Sequence, residues 1–462
     1  MIRLASVLSL GLSLALAGGA EAAPPAKLPV EVYGRLPNIE LMELSPSGEL
    51  LAYIQINGDT RQLIVKDLTG KTLLASPVGD KKIRDLDWAG EDHLIVTASA
   101  AQRLFGASQK REWGHTIVVR LDSRKAFEVF FPSETIISAT FGYHGAVQQG
   151  GHWYGFFGGV PYQKTRGFEP TLNEDNFFDL FRVDLDSGAA SLTASGQQRP
   201  HEWALSPDGA VAAQAEYDQQ SGVFTIRGGQ AGGPVLGALD APLGQVGLAG
   251  LGRAADTIVV ANDVPEEWSL KSGAHAPLAE DRLIEGFIHD PTSKRLLGLW
   301  LTGDRPEQRW FDPVLKARQA AFAKALGGQP ILVSWSADFT RLILFTGGDG
   351  DAGTYWLFDG KGVKPYGYAY PELPDANVGA RQIIRYHAAD GLALRGVLTL
   401  PPGRPASALP LVVMPHGGPE AHDTLEFDWL AEAFAGRGYA VFQPNFRGSD
   451  EQGKAFRDAG FG

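Results

Sequence analysis

The chain contains no cysteine. That excludes a disulfide scaffold, thiol catalysis, cysteine zinc sites and lipid attachment through an N-terminal cysteine. Basic residues are in deficit: 41 Lys+Arg against 53 Asp+Glu give a net charge of −12. A polyanion-binding protein carries the opposite balance, so nucleic acid is not an expected partner. Beyond the first two dozen residues no apolar run is long enough to cross a bilayer. Zinc-protease and dinucleotide signatures are also missing. No histidine follows His201-Glu202 three residues on, and Gly247–Gly252 has the wrong glycine order. No cofactor and no metal are expected.

The N-terminus reads as an address. Arg3 precedes the apolar stretch Leu4–Ala17, and small residues end in Ala20-Glu21-Ala22. A charged start, an apolar centre and an A-x-A site make residues 1–22 a cleaved signal peptide. The expected location is periplasmic or secreted, with no membrane span after cleavage. The sequence does not indicate an oligomeric state.

Glycine (57) and proline (29) make up about 19% of the chain, against an ordinary ~12%. Hydrophobic residues are 44%, enough for a large core built from turn-rich β structure. One motif recurs. Leu44-Ser45-Pro46-Ser47-Gly48, Leu205-Ser206-Pro207-Asp208-Gly209 and Trp335-Ser336-Ala337-Asp338 each precede an apolar strand, with a weaker copy at Asp87–Asp92. Ser45 and Ser206 are 161 residues apart, Ser206 and Ser336 130, near multiples of the ~40–45 residues of a propeller blade. A second turn class, Asp67–Gly70, Asp184–Gly188 and Asp359-Gly360, fits the hairpin between a blade's last two strands. Residues 35–375 therefore read as a β-propeller of seven or eight blades, with a β-sandwich stack as the alternative. A helical periodicity at Pro313–Ala325 predicts one inserted helix. The acidic pairs Glu174-Asp175 and Glu266-Glu267 read as solvated loops, and Gly347–Asp351 as a hairpin loop.

From about residue 380 the pattern changes, and residues 380–462 read as the N-terminal part of an α/β domain. A hairpin turns at Ala389-Asp390-Gly391. Leu409–Met414 is a short apolar run, expected to be a strand buried on both faces. Asp423 and Glu426 are expected to form a capping pair for a helix using Phe427, Leu430, Ala431 and Phe434 as its apolar face, closed by Gly436. Tyr439–Phe442 is the next strand, which completes a βαβ unit. Between the first strand and the helix stands His416-Gly417-Gly418-Pro419. Glycines at the end of a strand present bare backbone N–H groups, which can hold a developing oxyanion.

These segments (Leu409–Pro419, Arg437–Val441, Gln443–Ser449), together with the opening Tyr33–Tyr53 and the preceding propeller, resemble the prolyl oligopeptidase family of serine peptidases. The closest subgroup in pattern is acylaminoacyl-peptidase- and dipeptidyl-peptidase-like. The resemblance implies a mainly β fold, a propeller followed by an α/β-hydrolase domain, that cleaves short peptides with the propeller gating access. It implies an oxyanion loop at His416, Gly417 and Gly418, with the glycines acting through their backbone and His416 packing the loop. It implies that Arg447 supports the loop, or otherwise faces the substrate.

One departure is decisive for chemistry. No G-x-S-x-G nucleophile elbow occurs, and His416 and His422 come too early for a triad ordered Ser, Asp/Glu, His. The expectation is that no triad member is present, that this chain is inactive as it stands, and that it is a fragment of a longer enzyme. The alternative is a truncated, non-catalytic propeller that binds a peptide or protein.

Overall fold

The computed structural model describes residues 25–58, 60–79, 81–103, 110–161, 179–196, 201–230, 232–418 and 420–461. The expected signal segment, Glu174-Asp175 and Pro419 lie outside these residues.

Local chemistry builds the repeat. In the first sheet Ile39–Leu44, Leu50–Asn57, Thr60–Asp67 and Thr72–Pro77 run antiparallel in sequence order. The turn after the first strand closes when the Gly48 N–H donates to the Ser45 carbonyl at 2.7 Å. Gly48 has φ +72°, a conformation that favours glycine. The turn between the third and fourth strands is held by Asp67, which accepts from the Thr69 and Lys71 N–H groups. Asp184 does the same for Asp186 and Ser187, and Asp359 for Lys361 and Gly362. The recurring aspartates of the sequence are side-chain caps for turn amides.

Seven such antiparallel meanders follow one another among the described residues, six of four strands and one of three. Each adjoining pair shares a buried cluster. Leu299 and Leu301 of the sixth sheet, for example, meet Val259 of the fifth. The ring closes because the last meander packs on the first: Ile343 and Leu357 share a core with Ile39, Met42, Leu44 and Leu51. Ser334 Oγ accepts from the Leu44 N–H at 2.9 Å and donates to Glu43 at 2.6 Å across the same joint. This is a β-propeller.

The expected inserted helix is present as Pro313–Leu326, and it follows the three-stranded sixth sheet. Asp312 caps it, accepting from the Val314 and Leu315 N–H groups at 2.8 and 3.0 Å. Leu315 and Phe322 pack on Trp310, Leu342 and Phe358. Gly347–Asp351 lies at the hairpin joining Leu342–Gly348 to Asp351–Phe358.

The C-terminal sheet has the order Ala380–His387, Ala393–Leu400, Ala440–Asn445, Leu411–Val413. The first two pairs in that order are antiparallel, and the last pair is parallel. That parallel pair with the helix Trp429–Ala435 between its strands is the expected βαβ unit. Two expectations fail in detail. Leu411–Val413 is not buried on both faces. It is the sheet edge. Leu411 and Val413, which share one face, are 57% and 58% exposed, because no described element covers that face of the strand, while Val412 on the other face is half-buried. The helix is not capped by Asp423 and Glu426 either. Asp428 caps it, accepting from the Leu430 and Ala431 N–H groups at 2.9 Å each. The later start rotates the buried face onto Ala431, Glu432, Ala433 and Ala435, leaves Phe427 ahead of the helix and leaves Leu430 and Phe434 outward.

The N-terminal residues belong spatially to this second unit. Val32 and Tyr33 pack with Leu373, Val378 and Ala433. Arg437 donates to the Leu28 carbonyl, and Asn377 to that of Ala26. The described residues thus begin against the C-terminal unit, circuit the propeller and return to it.

Candidate active site: the glycine loop between the propeller and the C-terminal sheet

The loop at His416–Gly418 leaves the end of the Leu411–Val413 strand. Its histidine is fixed on three sides. The ring stacks on Phe446, with centroids 4.5 Å apart and planes 13° from parallel. Nε2 lies 2.9 Å from Ser449 Oγ, and Nδ1 lies 2.9 Å from the Gly417 carbonyl. Ser449 is fully buried, and its hydroxyl also lies 2.7 Å from the Phe446 carbonyl. Ser449 is therefore a buried link between loop and strand, not an exposed nucleophile. Gly417 and Gly418 are both exposed. No hydrogen bond from either N–H is found among the described residues, which leaves these two donors available to a ligand. Gly418 has φ +131°. A Cβ there would stand 2.8 Å from the Glu420 nitrogen, so the position demands glycine.

Arg447 is 42% exposed and pairs with Asp390, in the hairpin between the first two strands of the sheet. That contact holds the Asp390 carboxyl below its usual range. Arg447 ties the segment after the last strand to a neighbouring turn.

The residues that brace the loop were not singled out in the sequence. Asn445 is fully buried; its amide donates to the Asp423 carbonyl, and its oxygen accepts from the Asp423 N–H. Gln443 donates to both Asp423 and Asp428 and accepts from Arg381 at 3.0 Å. The signal was available: two amides spaced by two on an apolar strand point to one face. Around them sits a buried polar layer. Burial raises the Asp423 carboxyl, while the His416 ring nearby works in the opposite direction. Glu432 is fully buried, and desolvation pushes its carboxyl up to about 7.

The C-terminal unit is tied to the propeller by Arg395, which pairs with Asp304 at 2.6 Å, and by Arg457 with Asp263 at 3.3 Å. Arg305 donates to the carbonyls of Gly347 and Leu425, one on each side of the joint. A cavity of about 640 Å³ opens there, lined by Arg61, Arg84, Phe345, Tyr370 and Phe427 among others. The Glu266-Glu267 pair is not a solvated loop. It lies in the strand Glu266–Ser269, where Glu266 meets Trp268 and His275 and Glu267 meets Arg253 and Thr257.

Fold and loop together define a propeller joined to the beginning of an α/β-hydrolase sheet. The model of the prolyl oligopeptidase family matches residues 425–462. The chain is 28% identical to dipeptidyl aminopeptidase BIII of Pseudoxanthomonas mexicana over 205 residues, 41% of this chain and 29% of that protein. It is 28% identical to dipeptidyl peptidase family member 6 of Caenorhabditis elegans over 203 residues, 38% of this chain and 27% of that one. These alignments thus span less than a third of either relative. Among solved structures, a puromycin-hydrolyzing peptidase of Mycobacterium tuberculosis superposes with TM-score 0.57 at 14% identity, covering 95% of this chain and 71% of that one. The family-model match and the two relatives agree in their direction, and the chain is similar to the prolyl oligopeptidase family; the solved structure shares its fold.

Proposed function

We propose that the protein serves serine-type hydrolysis of short peptides, with the propeller admitting only small or unstructured substrates to the face that carries the glycine loop. The observation that carries this reading is the pair of exposed N–H groups at Gly417 and Gly418, without a partner among the described residues, in a loop whose histidine is anchored to Phe446 and Ser449. Backbone amides left free at such a loop can stabilise the oxyanion of a tetrahedral intermediate as it forms. His416 orients the loop, and Arg447 braces the segment after the last strand, on which His416 stacks and hydrogen-bonds. Short peptides are the substrates, and the protein works after export, in a periplasm or outside the cell. The residues of this chain supply access and oxyanion stabilisation. None of them is assigned as nucleophile, and the chain by itself is inactive in this reading. Removing the triad leaves only what binding and the oxyanion hole contribute.

A fluorophosphonate probe and short peptide anilides test this. The natural full-length product is expected to be labelled and to turn over peptides, and the 462-residue chain to do neither. A correctly folded full-length product that is never labelled would overturn the peptidase reading. It would favour instead a propeller that binds peptides without cleaving them, the reading favoured by the absence of a G-x-S-x-G elbow.

A further inference from the structure

A second cluster lies where the glycine-loop segment, the segment after the last strand and the sixth propeller sheet meet. One ring nitrogen of His422 and one carboxylate oxygen each of Asp450 and Glu451 lie within 4.8 Å of one another. His422 Nδ1 is 2.7 Å from Asp450 Oδ1, and its Nε2 is 3.5 Å from Glu285 Oε1 on the propeller. Ligands of one ion at ~2.1 Å lie at most ~4.2 Å apart. The Asp450 side chain is 43% exposed, so it is free to adjust to an ion.

Proximity of acids alone would mean little. The independent observation is Glu451. Its side chain is fully buried, yet Oε2 has no hydrogen-bond partner among the described residues. The other oxygen, Oε1, meets Arg395 Nε at 3.4 Å and the Gln452 amide at 3.2 Å. Arg395 is no dedicated counter-ion, because its Nη1 pairs with Asp304 at the shorter distance of 2.6 Å. The carboxylates of Asp450, Glu451 and Glu285 thus lie around His422, and the one guanidinium that contacts Glu451 among the described residues is shared with Asp304. A buried carboxylate oxygen without a donor is costly, and a cation would remove that cost.

We infer that His422, Asp450 and Glu451 form a divalent metal site, which staples the glycine-loop segment to the strand end and, through Glu285, to the propeller. One imidazole with carboxylates is a borderline-to-hard donor set suited to Zn²⁺ or Mn²⁺; it is neither the all-oxygen shell of Ca²⁺ nor the soft set of Cu⁺. Nδ1 faces the carboxylates and takes the metal. Nε2 lies 3.5 Å from Glu285 Oε1, the place of the outer carboxylate that commonly orients a metal-bound histidine. The role is structural, so the inference stands apart from the peptidase reading.

The test is a titration of the chelator-treated, desalted chain with Mn²⁺, with the free ion followed by electron paramagnetic resonance, and then displacement by Zn²⁺. One saturable equivalent is expected, displaced by Zn²⁺ but not by equal Ca²⁺. His422→Ala and Asp450→Asn should each weaken it at least tenfold, and Glu285→Gln by about tenfold. Asp450→Asn changes an exposed side chain, so its fold is expected to survive, and circular dichroism checks that. Absence of saturable binding, or binding that Asp450→Asn and His422→Ala leave unchanged, would overturn the site.

Discussion

Glu432 is a carboxyl in the wrong place for a charge, and replacing it should stabilise the protein. It lies on the inward face of the Trp429–Ala435 helix with no exposed surface. Oε2 accepts from the Gly379 N–H at 2.7 Å, while Oε1 has no partner among the described residues. Desolvation dominates and raises its titration to about 7 from 4.5, against the partial relief of the Gly379 bond and the Arg381 charge. The sign follows from proton binding. Between pH 4.5 and 7 the folded state holds the proton and the unfolded state has released it, so stability falls as pH rises. The full loss amounts to about 3 kcal/mol by pH 8, taking ~1.36 kcal/mol for each tenfold difference in proton affinity. In Glu432→Gln the amide carbonyl can keep the Gly379 bond, and no charge need be buried. Urea unfolding of wild type and variant across pH 4.5 to 8 isolates this group, since other titrations cancel in the difference. The variant should gain little at pH 4.5 and up to about 3 kcal/mol at pH 8. A difference that does not change with pH, or a variant less stable at pH 8, would refute the argument and mean that Arg381 needs the charge.

Two further substitutions probe the frame that holds the site. Gly348→Ala sets a Cβ 2.1 Å from the Leu425 carbonyl at a residue with φ +84°, so it should cost roughly 2–4 kcal/mol. The loss should appear as earlier chemical unfolding and faster proteolysis of the C-terminal unit, because Leu425 lies on its side of the joint. Asp312→Ala removes both cap bonds of the Pro313–Leu326 helix. It should cost about 1 kcal/mol with no change at the glycine loop, which circular dichroism and urea titration would register.

The repeat was legible because its chemistry is local. An aspartate or serine that closes a turn does so within four residues, so Asp67, Asp184, Asp338 and Asp359 mark hairpins wherever the chain later goes. The helix at Pro313–Leu326 was legible for the same reason: apolar residues recur at helical spacing from Pro313 to Ala325. The second helix was misread by one turn. Asp423 and Asp428 each offer a capping carboxylate, and the sequence cannot tell which finds free amides. In the structure Asp423 is engaged by Gln443 and Asn445, and Asp428 takes the cap.

The sequence by itself determined the propeller, the strand-helix-strand start of a second unit and the position of the glycine loop, since all three rest on periodicity and on residues that dictate their own backbone. Only the tertiary structure decided what surrounds the loop. The His416–Ser449 contact spans 33 residues, Arg305 joins Gly347 to Leu425, and Glu285 reaches His422 from 137 positions away. Contacts of that range depend on how the blades close into a ring and on where the second sheet docks, which no local window of residues encodes.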